Sequence, residues 1–421
     1  MKFLIIPLFI VVSITLAGGT WLDTTLVPPA LGFETPVRIY LPDGYDPGGT
    51  VNYPVIYWLN AWGGTQAQDS YLTLTALDSL ISSGQIQPVI VVKPNGMCPP
   101  YNGCMWVNSI LYGDYEDYVV FDLVNFIDST FCTISDPEYR CIAGHSMGGL
   151  GSMRIALEYT DRYKAVASHA GFQDLQVGLD LFIPEAIMEC PESEPPYTYD
   201  WGNGSYTNAL FLYAGGCSPN LNAPDSVDFL LDENGAIIDS VWVLWELFNP
   251  VHIIKEIPLP VDLDIFFDCG DNDDWIGCYE SNCGFADTLT ALGIDHEFQS
   301  LPGVNHYMNL SRFIEEFLFL SEAMTGIEDR ELSPSGILLR KVFPNPFTSS
   351  TTIQFDLSGA AHVSLQVYDV SGRMVESLAD GELINGRHSV VLDKGDLVPG
   401  MYIIVLKTGT AVETRNCILL R

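Results

Sequence analysis

The sequence predicts an α/β fold with a mostly parallel sheet, followed by a small antiparallel β-sandwich. Three observations predict it. Short apolar runs alternate with segments of helical spacing from about Phe33 to Met324. Within that region, Gly144-His145-Ser146-Met147-Gly148 joins a strand-like run to a helix-like one. From Lys341 the texture changes to short alternating strands broken by turn residues.

The elements follow in order. Val37-Tyr40, Pro54-Leu59 (PVIYWL) and Pro88-Lys93 (PVIVVK) read as strands, and Glu116 to Phe131 has helical spacing. Tyr139-Ala143 is a short buried strand, and Met147 to Tyr159 is a helix that opens on two glycines. Ala165-Ala170 and Leu263-Asp268 (LDIFFD) are further strands, separated by a long stretch to about Pro260 without a decodable motif. A helix around Phe285-Leu292, a strand at His296-Leu301 and a helix at Leu310-Ala323 complete the region. Apolar strands that alternate with helices imply a parallel sheet covered on both faces.

Residues 325–340 mix charges with Ser, Pro and Gly and read as a linker. Beyond it, Thr352-Leu357, Val363-Val370, His388-Leu392 and Met401-Lys407 alternate as half-buried strands do, with turns at Ser371-Gly372, Asn385-Gly386 and Pro399-Gly400. Residues 341–421 are therefore expected to form a compact Ig-like sandwich of about 80 residues. Charge marks the same division. The formal net charge is −35, from 18 Lys+Arg and 53 Asp+Glu. From Lys341 onward there are 7 basic and 8 acidic residues, a net of −1, which leaves −34 for the rest. Such an acidic chain repels phosphates, so nucleic acid and anionic lipid are excluded as partners.

Residues 1–17 carry one early lysine, Lys2, an apolar run from Phe3 to Leu16, and small residues at the end. This is the pattern of a secretory signal, too short to span a bilayer. The main domain is expected over residues 18–324. Ten cysteines fit export to an oxidising compartment, with local disulfides expected for Cys98–Cys104, Cys132–Cys141 and Cys278–Cys283. No C-x-x-C pair or histidine cluster accompanies them, so no zinc site is expected, and no other metal or cofactor is implied.

The G-x-S-x-G pattern carries the chemistry. Between a strand and a helix it holds a serine on a tight, exposed turn, where flanking glycines let the chain approach itself closely. A serine hydroxyl is a weak nucleophile until a base takes its proton. His306, on a loop between the last strand and the last helix, is the candidate base. The candidate acid lies in Cys269-Gly270-Asp271-Asn272-Asp273-Asp274, after the preceding strand, with Asp273 favoured over Asp274. The dense Asp/Asn spacing lacks the terminal Glu of a calcium loop. The oxyanion donors are expected to be the backbone N–H groups of Met147 and, from the loop Asn60-Ala61-Trp62-Gly63-Gly64, Trp62.

Together, Pro54-Leu59 with Gly63-Gly64, Tyr115-Glu116-Asp117-Tyr118, Ala143-Gly149, Cys269-Gly270 with Asp273, and Pro302-Gly303 with His306 resemble the esterase D family of α/β-hydrolases. Ser218-Pro219-Asn220 with Trp242 and Trp245 also resembles that family. The resemblance spans most of Phe33 to Met324. It implies a secreted serine esterase with a Ser146–Asp273–His306 triad that acts through an acyl-enzyme on a small or polysaccharide-linked ester, acetyl or feruloyl. An acyltransferase and a non-catalytic surface binding protein are the alternatives. Asn60-Ala61 departs from the His-Gly of many members, which bears on the second oxyanion donor. Phe343-Pro344-Asn345-Pro346-Phe347, Val367-Arg373 and Leu397-Tyr402 resemble the C-terminal sorting domain of type IX secretion. That resemblance implies a tail handled by the type IX machinery and delivery to the cell surface or medium, without stable membrane insertion.

Overall fold

The computed structural model describes residues 18–325 except 260, and residues 337–419 except 344–346, 348–349, 358, 371, 396 and 410. The expected signal (1–17), most of the expected linker (326–336) and the centre of the Phe343–Phe347 motif lie outside the described residues. The chain divides into two compact units, the main change falling at Thr325, with Glu297–Gln299 grouped with the second.

The first unit is built on eight strands: β1 (Thr20–Leu26), β2 (Thr35–Leu41), β3 (Val55–Leu59), β4 (Ile90–Pro94), β5 (Arg140–His145), β6 (Ala165–His169), β7 (Asp264–Gly270) and β8 (Glu297–Leu301). Their spatial order is β1-β2-β4-β3-β5-β6-β7-β8. β2 runs antiparallel to β1 and β4, and the pairs from β4 through β7 are parallel. The central strands β3, β4, β5 and β6 are buried at every position, which explains their unbroken apolar runs. One face packs Ile56, Trp58, Cys141, Ala143 and Phe266 against Leu77 and Leu80 of α1 (Ser70–Ser82) and against Phe313, Phe317 and Leu320 of the last helix.

The remaining α-helices longer than one turn are α2 (Val124–Thr130), α3 (Met147–Glu158), α4 (Leu175–Met188), α5 (Ser205–Cys217), α6 (Asp239–Glu246), α7 (Pro250–Glu256), α8 (Cys278–Leu292) and α9 (Leu310–Met324). The stretch before Pro260 that the sequence left unassigned thus holds α4 to α7. Strand β1 and helix α1 also escaped the sequence reading. The helix expected at Glu116–Phe131 is present but widens to π geometry over Tyr118–Leu123. Helix α8 begins seven residues earlier than expected; its first turns, Cys-Tyr-Glu-Ser-Asn-Cys-Gly, hold mostly weak helix formers, which hid the start from the sequence reading.

The second unit is all β, in two antiparallel sheets. β9 (Ile337–Phe343), β10 (Ser350–Leu357) and β13 (Gly386–Asp393) form one. β11 (Ala361–Asp369), β12 (Met374–Leu383), β14 (Gly400–Thr408) and β15 (Ala411–Leu419) form the other, in the order β12-β11-β14-β15. Side chains of both sheets share one core, including Leu339, Phe355, Leu365, Val367, Ile404 and Leu406. Strand β9 starts inside the segment read as linker. The strands missed from the sequence, β9, β12 and β15, are all sheet edges, and acidic β12 (MVESLADGEL) has no buried position, which blurs the period-2 signal.

All ten cysteines are free thiols. The expected pairs fail for a geometric reason in two cases. Cys132 Sγ points to the Asp46 and Pro47 carbonyls, whereas Cys141 Sγ points to Leu320 O beneath the sheet. Cys278 and Cys283 sit five residues apart on α8, which puts them on different helix faces. Cys98 Sγ instead lies against Tyr112 O.

Candidate active site

The parallel register sets the site. It aligns Leu59 with Gly144, Gly144 with Ser168, His145 with His169, and His169 with Asp268, all at the carboxyl ends of the strands. Open α/β sheets place their functional crevice at that edge. Between β5 and α3 the chain turns through Ser146 at φ 56° and ψ −116°, a strained conformation for a residue with a Cβ. Ser146 N donates to His169 O at 2.8 Å, which holds the turn. A Cβ on Gly144 would lie 2.3 Å from Gly148 O, and one on Gly148 would lie 2.1 Å from Leu59 O. Both glycines are required by close approach.

The structure brings Ser146, His306 and Asp273 together. His306 Nε2 lies 2.8 Å from Ser146 Oγ, and His306 Nδ1 lies 2.9 Å from both Asp273 oxygens. The imidazole is 5% and the carboxylate 1% exposed. Asp273 Oδ1 also accepts from Trp275 N at 2.8 Å, and its loop is pinned by Asp271 N to Leu301 O and Asn272 N to Val304 O. Asp274, the alternative acid, is exposed. In the loop after β3, Ala61 N is engaged by Gln68 Oε1 and Gly63 N by Asn102 O. Buried Asn60 braces that loop: its Nδ2 donates to Ala61 O and Gly64 O, and its Oδ1 accepts from Gly96 N. Met147 is the first residue of α3, where helix geometry leaves N–H groups without intrahelical partners.

Several residues that the sequence reading passed over complete the site. His145 Nε2 donates to His306 O at 2.7 Å. Burial, followed by the nearby His306, holds its pKa well below the ordinary value, so the ring is neutral and its Nδ1 accepts from Gln68 Nε2 at 3.3 Å. Arg312 Nη1 donates to the same His306 carbonyl and to Tyr307 O, at 3.3 and 3.1 Å. The rest of its guanidinium grips Asp268. His169 bridges Asp268 Oδ2 at 2.8 Å and Glu316 Oε2 at 2.7 Å, and Trp58 Nε1 donates to the same Glu316 oxygen at 3.2 Å. Burial disfavours the charged ring of His169, but Asp268 and Glu316 outweigh it and raise its pKa to about 9. Burial likewise opposes the Asp268 carboxylate, yet Arg312 and His169 hold its pKa down at about 2. Two cations and two anions therefore neutralise one another behind the histidine loop.

An aromatic wall stands beside the triad. The Trp275 ring lies 6.3 Å from His306 and 6.0 Å from Trp62, stacks on Phe182 at 5.9 Å, and meets Tyr206 edge-on at 5.4 Å.

The sequence profile of the family described as "Putative esterase" matches residues 29–317. The chain belongs to this family. The profile of a secretion system C-terminal sorting domain matches residues 341–420. Esterase MT1326 of Mycobacterium tuberculosis is 27% identical over 154 residues, covering 37% of this chain and 33% of that protein. An endo-1,4-beta-xylanase/feruloyl esterase of Xylanibacter ruminicola is 30% identical over 176 residues, covering 41% of this chain and 23% of that protein. The chain thus spans a third or less of the length of these relatives. A solved ferulic acid esterase shares the fold, with a TM-score of 0.51 at 18% identity, covering 73% of this chain and 99% of that one. Both the family and this neighbour agree with the α/β-hydrolase fold expected from the strand–elbow–helix sequence. Among the described residues, no helix is long and apolar enough to cross a membrane.

Proposed function

We propose that the first unit is a carboxylic ester hydrolase that works through an acyl-enzyme. The observation that carries this is the continuous relay from Ser146 Oγ through the His306 ring to Asp273, with both contacts below 3 Å. His306 Nε2 takes the Ser146 proton as Oγ attacks the ester carbonyl, and it returns the proton to the leaving alkoxide. Water then repeats the cycle on the acyl-serine. Asp273 orients the ring and stabilises the imidazolium. The Met147 and Trp62 amides are the oxyanion donors, since Ala61 N and Gly63 N on either side of Trp62 are already engaged.

The aromatic wall supports an ester with an aromatic acyl group, of the feruloyl kind, because flat rings bind by stacking against flat rings; a sugar-linked acetyl ester is the second substrate class to test. The sorting-type tail supports export to the cell surface or medium through type IX machinery. Two measurements on the purified full chain test the reading. One is turnover on a panel of acetyl, butyryl and feruloyl esters, and the other is covalent labelling by an organophosphonate mapped by mass. Labelling at a serine other than Ser146, or no turnover on any ester by the folded protein, would refute it.

A further inference from the structure

Beside Asp273 lie two thiols that the hydrolytic relay does not use. Cys269 is the penultimate residue of β7 and Cys278 is the first of α8. Their sulfurs are 3.7 Å apart, and Cys269 Sγ is 3.6 Å from Asp273 Oδ2. The two thiols and the carboxylate all lie within 4.8 Å of one another. Both cysteines are fully buried.

The two separations made by Cys269 match edges of a metal tetrahedron, and the Cys278 sulfur and the Asp273 carboxylate lie within 4.8 Å of each other. A zinc-like ion with metal–sulfur bonds of about 2.3 Å and a metal–oxygen bond of about 2.1 Å spaces two sulfurs by about 3.8 Å, and a sulfur and an oxygen by about 3.6 Å. A disulfide would need the sulfurs at about 2.05 Å. Three protein ligands around one ion leave a fourth position open. The sequence hid this grouping because the cysteines are separated by eight residues, outside the short spacings that signal zinc.

We propose that Cys269, Cys278 and Asp273 form a site for a soft divalent cation of the zinc and cadmium class, and that its occupation switches off the ester-cleaving site. Binding breaks two S–H bonds and releases two protons to water. Two metal–sulfur bonds and one metal–oxygen bond form, and no electron is transferred. Asp273 Oδ2 turns toward the ion and its negative charge is spent on the metal. His306 then loses the partner that orients it and stabilises its protonated form. The binding claim stands on the thiol and carboxylate geometry alone, whereas the inhibitory consequence rests on the triad reading above. Entry requires the Asp271–Ile276 loop to open, which breaks the bonds from Asp271 N to Leu301 O and from Asn272 N to Val304 O. Onset is therefore slow. The net charge of −35 raises the local concentration of any cation.

The test uses the reduced full chain and Cd²⁺ alone. The ultraviolet thiolate-to-cadmium band is followed together with ester turnover. One equivalent of Cd²⁺ should give the band at high affinity, with a slow loss of turnover that a chelator reverses. Cys278→Ala and Cys269→Ser should each keep turnover, lose the tight band and become insensitive to Cd²⁺. Asp273→Asn should weaken the band, whereas Cys132→Ser and Cys283→Ser should leave it unchanged. A tight band that survives in both folded Cys269 and Cys278 variants would overturn the proposal, as would a wild-type chain whose Cys269 and Cys278 peptides are found disulfide-linked. A chain that binds Cd²⁺ tightly at these residues but never cleaves an ester would refute the hydrolase reading and leave the metal site standing.

Discussion

The two compact units bury different kinds of side chain. The second is closed by an apolar core, and among its described residues the buried polar side chains are the two threonines Thr351 and Thr408. The first buries Lys93, Arg140, Arg154, His169, Asp268, Arg312 and Glu316 as well. A buried charge costs several kcal/mol unless it is paired. The described core of the β-sandwich avoids that cost. In the first unit His169, Asp268, Arg312 and Glu316 form one network that reaches the His306 carbonyl, whereas Arg140 pairs with Asp128 and Arg154 with Glu116 and Glu158. Among the described residues, the buried charged side chains thus lie in the first unit.

The largest effects should come from breaking the relay. Ser146→Ala should lower kcat by about 10⁴-fold or more while circular dichroism and Tm stay near wild type. Asp273→Asn should cost about as much, whereas Asp274→Asn, on an exposed side chain, should leave kcat within a few-fold. A larger loss in the Asp274 variant would move the acid. The matching substitution in the second unit is Leu365→Ala. It should destabilise that unit by about 2–5 kcal/mol, read by denaturant titration, and leave ester turnover unchanged.

Next come the buried charges. Arg312→Met leaves Asp268 with one cation and the His306 carbonyl with one donor. A stability loss of about 3–5 kcal/mol is expected, with a fall in kcat larger than any change in KM. A variant as stable and active as wild type would mean that the network does not position His306.

The pH dependence sharpens the same contrast. His169 is held above its ordinary pKa, so it contributes stability that is fully present below about pH 6.5 and is lost as pH rises through about 9. Urea titrations at pH 6 and above pH 9 should show that loss. In His169→Gln the alkaline decline should flatten, and a decline of unchanged size would assign it to another group.

What the sequence showed and what it hid follow from range. The elbow was legible because Gly144, Ser146 and Gly148 are local and each has a steric reason to be there. His306 and Asp273 could be read because they follow strands in chain order. His169 and Asp268 looked like ordinary strand residues in SHA and FFD. Their partners lie 99 and 147 residues from His169, and 44 from Asp268, so no local pattern announces them. His145 was read as part of the elbow, but its carbonyl partner is 161 residues away. The cysteines misled for the opposite reason, since closeness in sequence was taken for closeness of sulfur.

The smallest expected effect is the one that would most damage this comparison if it proved large. All three relay residues, the Met147 and Trp62 amides and the buried ion network lie before Thr325. The second unit has its own closed core, built from strands that begin at Ile337. Its charge is near neutral where the rest of the chain is strongly acidic, so it adds little to the field at the serine. A chain ending at Thr325 should therefore hydrolyse a soluble ester with unchanged kcat and KM. Its export from a type IX-competent host should fail at the outer membrane, leaving activity in the periplasm, while the full chain reaches the surface or medium. A several-fold drop in kcat for the folded, shortened chain would show that the sandwich shapes the site. Unimpaired export without it would remove the reason for its presence that the sorting-domain match supplies.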